Sequence, residues 1–130
     1  MAGAQGVENL RRGYKAFADS DVATLTELIP ADAVWHVPGR GPLAGDKKGR
    51  EAILGMFGQL AQLTGGTFKA ELVHMLGDDN YVVALQRTTA SVNGKELNSF
   101  DVLVQRLEND LPIETWQMSS SPYEADELIG

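Results

Sequence analysis

Two side chains in this sequence are suited to moving protons at neutral pH, His36 and Asp101. An unperturbed His has a pKa of about 6.5, which suits a general base. Asp101 lies between Phe100 and Val102 in an apolar stretch, where a carboxyl group must be paired or its pKa rises. Asp101 therefore either faces a pocket or is bonded to a backbone N–H or an Arg at a strand end.

The short stretch around His36 is predicted to be a strand that ends at Pro38. Side chains alternate along a strand, so Trp35 and Val37 share one face while Val34 and His36 share the other. His36 therefore has two alternative positions. It faces the pocket if a bulge before Pro38 reverses the alternation, and otherwise it is a structural or interface residue.

Several aromatic and apolar residues are candidates for the walls of a pocket. Trp35 and Phe57 are predicted to line it, whereas Trp116 and Met118 share a strand face that is either pocket lining or interface. Tyr14 is either a core aromatic residue whose hydroxyl finds a partner or a catalytic group.

Composition and charge exclude several classes of function. The 130 residues carry a net charge of −7 with no stripe of Lys and Arg, so we expect no nucleic-acid partner. The absence of cysteine excludes disulfides, thiolate nucleophiles and zinc–thiolate sites. The two histidines lack an HxH or HExxH pattern, so we expect no metal and no other cofactor. Without a secretory signal or an apolar run of about 18 residues, we expect one cytoplasmic domain and no membrane contact.

The first half of the sequence predicts helices around one short strand. Apolar residues at helical spacing predict a first helix over residues 7–19, and a second, short helix follows and ends at Leu28. A strand is predicted over residues 33–37. A third helix is predicted from Asp46, a good N-cap residue, to Thr64. Its glycines, among them Gly55 and Gly58, are expected to mark close packing on a sheet.

The second half predicts an antiparallel sheet. Alternation of apolar and polar residues predicts four strands, over residues 67–76, 81–92, 95–108 and 111–119. Asn93-Gly94 is the strongest hairpin signal. Helices first and a meander second predict an α+β fold with the helices on one face of the sheet. We expect the acidic tail from Ser120 to be loosely ordered.

Both faces of this predicted sheet carry apolar residues. On the strand over residues 95–108, Asp101, Leu103 and Gln105 share one face, and Val102 and Val104 share the other. Since the helices can cover only one face, the other needs a cover, and a second copy of the chain is the natural one. We therefore expect a homodimer.

The order of elements, with the stretches DAVWHVPG, PLAG, GREAI and TGGTF, resembles the NTF2-like superfamily and, within it, the SnoaL-like branch related to ketosteroid isomerases. The resemblance covers nearly the whole chain. It implies a cone in which N-terminal helices pack on a strongly curved, mostly antiparallel sheet and a small molecule enters the mouth. Members include isomerases, polyketide cyclases, epoxide hydrolases and proteins that only bind, so the fold does not decide the activity.

The ketosteroid isomerases imply roles for three positions. In that family a Tyr on the first helix and a protonated Asp late in the sheet donate hydrogen bonds to an oxyanion, and Tyr14 and Asp101 match them. This match favours the pocket position for Asp101. A second Asp, immediately before a Pro, moves the proton. That position is Val37 here, which cannot take a proton, so His36 is the candidate replacement base.

Together these observations predict cofactor-independent acid–base chemistry on an apolar cyclic or polyketide-like ligand, by an isomerase, cyclase or hydrolase. The predicted catalytic residues are Asp101, His36 and Tyr14. The predicted ligand-binding residues are Trp35, Val37, Phe57, Leu103, Trp116 and Met118. The alternative, favoured by Val37 at the base position, is a non-catalytic ligand-binding or dimerisation module.

Overall fold

The computed structural model describes residues 4–129, which contain four helices and six strands. The helices are α1 (Ala4–Ala18), α2 (Val22–Leu28), α3 (Arg50–Leu63) and α4 (Pro122–Ile129). The strands are β1 (Val34–Val37), β2 (Gly45–Lys48), β3 (Lys69–Gly77), β4 (Tyr81–Val92), β5 (Lys95–Glu108) and β6 (Leu111–Ser119). The predicted α+β fold is confirmed.

The strands form one sheet in the order β2-β1-β6-β5-β4-β3. Strands β3 to β6 make an antiparallel meander, and β1 pairs in parallel with β6. A parallel pair needs a long crossover, which here includes α3 and the meander. The β4–β5 turn is the predicted hairpin: Asn93 and Gly94 have φ of 52° and 80°, the positive values that a tight hairpin turn requires.

The helices bury one face of the sheet, which we call the inner face. Leu25 and Ile29 near α2 pack with Ile53 and Met56 of α3 in the main core. A run of edge-to-face aromatic contacts joins this core to α1 and β1, with Phe57 in contact with Phe17 at 5.2 Å and with Trp35 at 5.4 Å between ring centroids. The opposite, outer face of the sheet carries no described helix.

The predicted start of the third helix is wrong. Residues 45–48 form the edge strand β2, and α3 begins at Arg50. Gly45 and Gly49 bracket β2 with φ of 105° and 95°, which residues with a Cβ rarely adopt and which break a helix. Asp46, the expected N-cap, instead lies opposite His36 in the β1–β2 pair.

The expected loose order of the tail is also wrong, because α4 packs on the loop after β1. The Asp126 carboxylate accepts a hydrogen bond from the Arg40 backbone N–H at 2.8 Å. The Arg40 guanidinium lies over the Tyr123 ring, 4.1 Å from its centroid. These contacts explain why a polar and acidic segment is helical here.

No helix of residues 4–129 has the length and apolar character needed to cross a membrane.

Candidate functional site

A cavity lies between the helices and the inner face of the sheet. The centres of water molecules can reach about 200 Å³ of this cavity. By the same measure a single water molecule needs only about 10–15 Å³. Its walls are mostly apolar and come from α1, α2, β1, α3 and the meander, with Pro122, Ala125 and Asp126 of α4 at one end. An apolar cavity with a few polar groups is typical of small-molecule sites.

Asp101 is the buried carboxylate of this cavity, with 4% of its surface exposed. Its Oδ2 accepts a hydrogen bond from Gln117 Nε2 at 2.7 Å, and its Oδ1 accepts a longer one from the Ser99 hydroxyl at 3.3 Å. Because it has only one distant partner, Oδ1 keeps capacity to accept a further hydrogen bond or a proton.

Trp35 fixes which way the Gln117 amide points. The Trp35 indole Nε1–H donates to Gln117 Oε1 at 3.0 Å. An indole N–H can only donate, so the oxygen of Gln117 must face Trp35 and its NH₂ group must face Asp101. Asp101 therefore accepts the hydrogen bond of Gln117 at Oδ2.

Tyr14 of α1 reaches the same region of the cavity. Its hydroxyl donates to Gln86 Oε1 at 2.6 Å, and Gln86 Nε2 donates to Thr88 Oγ1 at 3.0 Å. Gln86 lies directly opposite Asp101 in the β4–β5 pair. Burial, followed by the charge of Asp101, raises the pKa of Tyr14 well above its ordinary value. The hydroxyl therefore stays protonated and can act as a hydrogen-bond donor but not as a base.

His36 lies on the outer face, which corrects its assignment as the base in the pocket. Its Nδ1 is 2.7 Å from Asp46 Oδ1, its Nε2 is 2.7 Å from Glu114 Oε2, and its ring stacks on Trp116. β1 keeps a regular register with both neighbours, so no bulge reverses the alternation. The hydrogen bonds to Glu114 and then Asp46 raise the pKa of His36.

The predicted ligand-binding residues divide between the two faces. The cavity is lined by Trp35, Val37, Phe57 and Leu103. Trp116 and Met118 are on the outer face, and Met118 is 47% exposed, so their assignment as pocket lining is corrected. They alternate with Thr115 and Gln117, whose side chains line the cavity.

Sequence reasoning missed the polar partners of Asp101 and Tyr14. Ser99, Gln86, Thr88 and Gln117 all line the cavity. Alternation from Asp101 could have placed Ser99 on the inner face, but the two glutamines are on other strands and required the pairing between strands. Among residues 4–129, no three His, Cys, Asp or Glu side chains come together in a group that could hold a metal ion.

Comparison with known proteins supports the same architecture. The profile of the SnoaL-like domain matches residues 10–112. Uncharacterized proteins of Mycobacterium tuberculosis and Mycobacterium bovis are 33% identical over 96 residues, which is 73% of this chain and 73% of theirs. The structure of Bal32a, from a soil-derived mobile gene cassette, is 43% identical, with a TM-score of 0.92 and 97% of each chain covered.

More distant solved structures share the fold. IdmH of Streptomyces antibioticus, a candidate polyketide cyclase, is 21% identical with a TM-score of 0.77, over 90% of this chain and 93% of IdmH. TerC, co-crystallized with polyporic acid, is 18% identical with a TM-score of 0.84, over 97% of this chain and 98% of TerC. With the inner cavity and the mixed sheet described above, the chain belongs to the SnoaL-like domain family, and it shares its fold with an NTF2-like protein of Burkholderia pseudomallei.

Proposed function

We propose that the protein binds an apolar, cyclic or polyketide-like small molecule in this cavity and moves a proton on it without a cofactor. The observation that carries the proposal is a carboxylate, Asp101, which is 4% exposed inside a largely apolar cavity and whose hydrogen-bond partners donate to it. A carboxylate among apolar walls whose Oδ1 keeps spare acceptor capacity can serve as a general base.

The chemistry that fits is removal of a proton from carbon next to a carbonyl group. Asp101 takes the proton at its free Oδ1 lone pair, and the electrons of the C–H bond move onto the carbonyl oxygen. The protonated Tyr14 hydroxyl donates a hydrogen bond to that oxygen once it turns from Gln86. Asp101 then returns the proton, either to another carbon of the enolate, which is an isomerisation, or to the alkoxide oxygen that forms when the enolate carbon attacks a second carbonyl, which is an aldol cyclisation.

This assignment changes the roles drawn from the ketosteroid isomerases. There the late-sheet Asp is a protonated donor. Here Gln117 donates to Oδ2 of Asp101, and we propose that Oδ1 accepts the proton of the ligand. Val37 lines the cavity at the family's base position and has no proton to exchange. Asp101 therefore takes the role of the base rather than that of the acid.

The fold relatives support the ligand class. IdmH is a candidate polyketide cyclase and TerC was co-crystallized with polyporic acid. Both agree with an apolar organic ligand in the cavity of this chain.

The test uses 2-tetralone, a bicyclic ketone with acidic C–H bonds, in D₂O. We expect the wild-type protein to accelerate loss of the C1 protons, followed by proton NMR, and Asp101→Asn to reduce that acceleration by about 10²-fold or more. Glu108→Gln makes the same chemical change at an exposed position of β5 and should leave the rate unchanged.

A second candidate function is binding without catalysis. Two observations favour it: the Tyr14 hydroxyl already donates to Gln86, and the family's base position is Val37. Wild-type protein that binds 2-tetralone by calorimetry but exchanges its protons no faster than buffer would replace the catalytic proposal with this one.

We also propose that the outer face of the sheet pairs with a second copy of the chain. Apolar side chains that are 40–47% exposed support it, namely Val83, Phe100 and Met118. They lie on the strands of one sheet face, and apolar residues grouped on an exposed face favour a protein partner.

A further inference from the structure

We propose that Gln105 and Thr115 form a second polar subsite of the cavity, which binds a neutral oxygen function at the far end of the ligand from Asp101. The inference rests on the proposed function, because it assumes that the cavity holds a small molecule. It adds that the ligand is elongated, with one polar group at each end and an apolar body between them.

Gln105 and Thr115 differ from the other buried polar side chains of residues 4–129. Each is 3% exposed, and each lines the cavity. The others all have hydrogen-bond partners: Asn9, Thr64, Gln86, Thr88, Ser99 and Asp101. Within the described part of the chain, neither Gln105 nor Thr115 has a side-chain hydrogen bond. Buried polar groups are nearly always paired, so these two side chains are the ones left free to bind a partner that is not protein.

The unpaired atoms open onto the cavity. Among the described residues, no polar side-chain atom that is sealed inside the protein lacks a partner. The amide of Gln105 and the hydroxyl of Thr115 are therefore in contact with the cavity space. Their neighbours Leu103 and Val82 are apolar, and the polar neighbour Gln117 is already bonded to Trp35 and Asp101.

The two residues act as one unit because they are directly opposite each other in the β5–β6 pair. Gln105 offers two N–H donors and a carbonyl acceptor, and Thr115 offers one donor and two lone pairs. Such a pair can bind a hydroxyl, a carbonyl or an amide. The carboxylates that line the cavity, Asp101 and Asp126, make a negatively charged end group unfavourable.

The spacing sets the length of the ligand. Asp101 and Gln105 are four residues apart on β5, which places their Cα atoms about 13 Å apart. Leu103 lies between them on the same face, and Trp35 is adjacent to Thr115 across the β1–β6 pair. The ligand that matches is two or more fused or linked rings with an oxygen at each end.

The test compares two probes that differ by one hydroxyl group, 4-hydroxybiphenyl and 4,4′-dihydroxybiphenyl, by calorimetry at pH 7. We expect wild-type protein to bind the diol about 5- to 10-fold more tightly, the effect of one net hydrogen bond. Gln105→Leu and Thr115→Val should each bring the two affinities together while leaving the affinity for 4-hydroxybiphenyl nearly unchanged. The control Gln62→Leu, at an exposed position of α3, should keep the preference.

The outcomes separate this inference from the proposed function. Equal affinity of wild-type protein for the two probes, or a preference that survives both substitutions, overturns the second subsite and leaves the role of Asp101 intact. Failure of wild-type protein to bind either probe overturns both. If Gln105→Leu does not fold, the nearly isosteric Thr115→Val decides alone, and its melting temperature should equal that of the wild type.

Discussion

At the scale of single residues, the alternation of side chains determines which groups can take part in chemistry. Asp101 and Trp35 could be placed in the cavity from sequence because the family resemblance indicates which face of each strand is inward and alternation gives the residues that share it. The same rule predicted, as one of two alternatives, that His36 faces away from the pocket. Gln117 and Gln86 could not be found this way, because their positions next to Asp101 depend on which residues pair across strands.

His36 gives the protein a stability that depends on pH. Hydrogen bonds to Glu114 and Asp46 raise the pKa of His36 above 6.5, and the bond to His36 lowers the pKa of Asp46 below 3.8. The cluster also includes Arg106, which pairs with Glu114, and Lys48, which is near Asp46. A raised pKa in the folded state favours the protonated ring. The contribution of protonated His36 to the free energy of unfolding is therefore fully present below pH 6.5. It is lost as the pH rises through the pKa that His36 has in the folded protein.

We expect the free energy of unfolding of wild-type protein to exceed that of His36→Gln most between pH 3.8 and 6.5, and the difference to shrink at higher pH. Urea unfolding followed by circular dichroism at a series of pH values checks this. His74→Gln, which removes the other, exposed histidine, is the control. A difference that does not change with pH would contradict the prediction.

At the scale of elements, the helices and the meander could be predicted because each has a strong local pattern. β2 and α4 could not be predicted from local patterns. β2 depends on two glycines at positive φ that break what reads as a helix start, and on pairing with β1. α4 depends on Asp126 and Tyr123 reaching the loop at Arg40, contacts that no local pattern reports.

The glycines of α3 show a second error of local reasoning. Gly55 and Gly58 were expected to mark close packing, but a Cβ built on either would meet nothing within 4 Å. Both are therefore unfavourable helix residues with no compensating contact. We expect Gly55→Ala and Gly58→Ala to stabilise the protein by about 0.5–1 kcal/mol each in urea unfolding. Gly49→Ala, at a φ of 95°, should destabilise it.

At the scale of the whole molecule, one sheet serves two purposes through its two faces. The inner face supplies the cavity and its polar groups. The outer face carries the exposed apolar side chains for which we proposed a second copy of the chain. A mutation on the outer face that changes dimerisation should therefore leave ligand binding in the cavity unchanged, and a mutation in the cavity should leave dimerisation unchanged.

Sedimentation at micromolar concentration checks the dimer. We expect a species of twice the mass of the 14.0 kDa chain for wild-type protein and a monomer for Phe100→Asp. Arg87, whose guanidinium lies 4.6 Å from the Phe100 ring centroid, can pair with the introduced carboxylate, so the fold should survive. Val22→Asp changes an apolar residue that is 60% exposed on α2 and should remain dimeric. Monomeric wild-type protein would contradict the proposal.

The chain has two tryptophans, and the sheet separates them. Trp35 is in the cavity wall with its indole N–H bound to Gln117, and Trp116 is stacked on His36 on the outer face. The molecule thus contains two intrinsic fluorophores that report on different events. With Trp116→Phe, the remaining emission should respond to filling of the cavity. With Trp35→Phe, it should follow the protonation of His36, because a charged imidazole quenches a stacked indole.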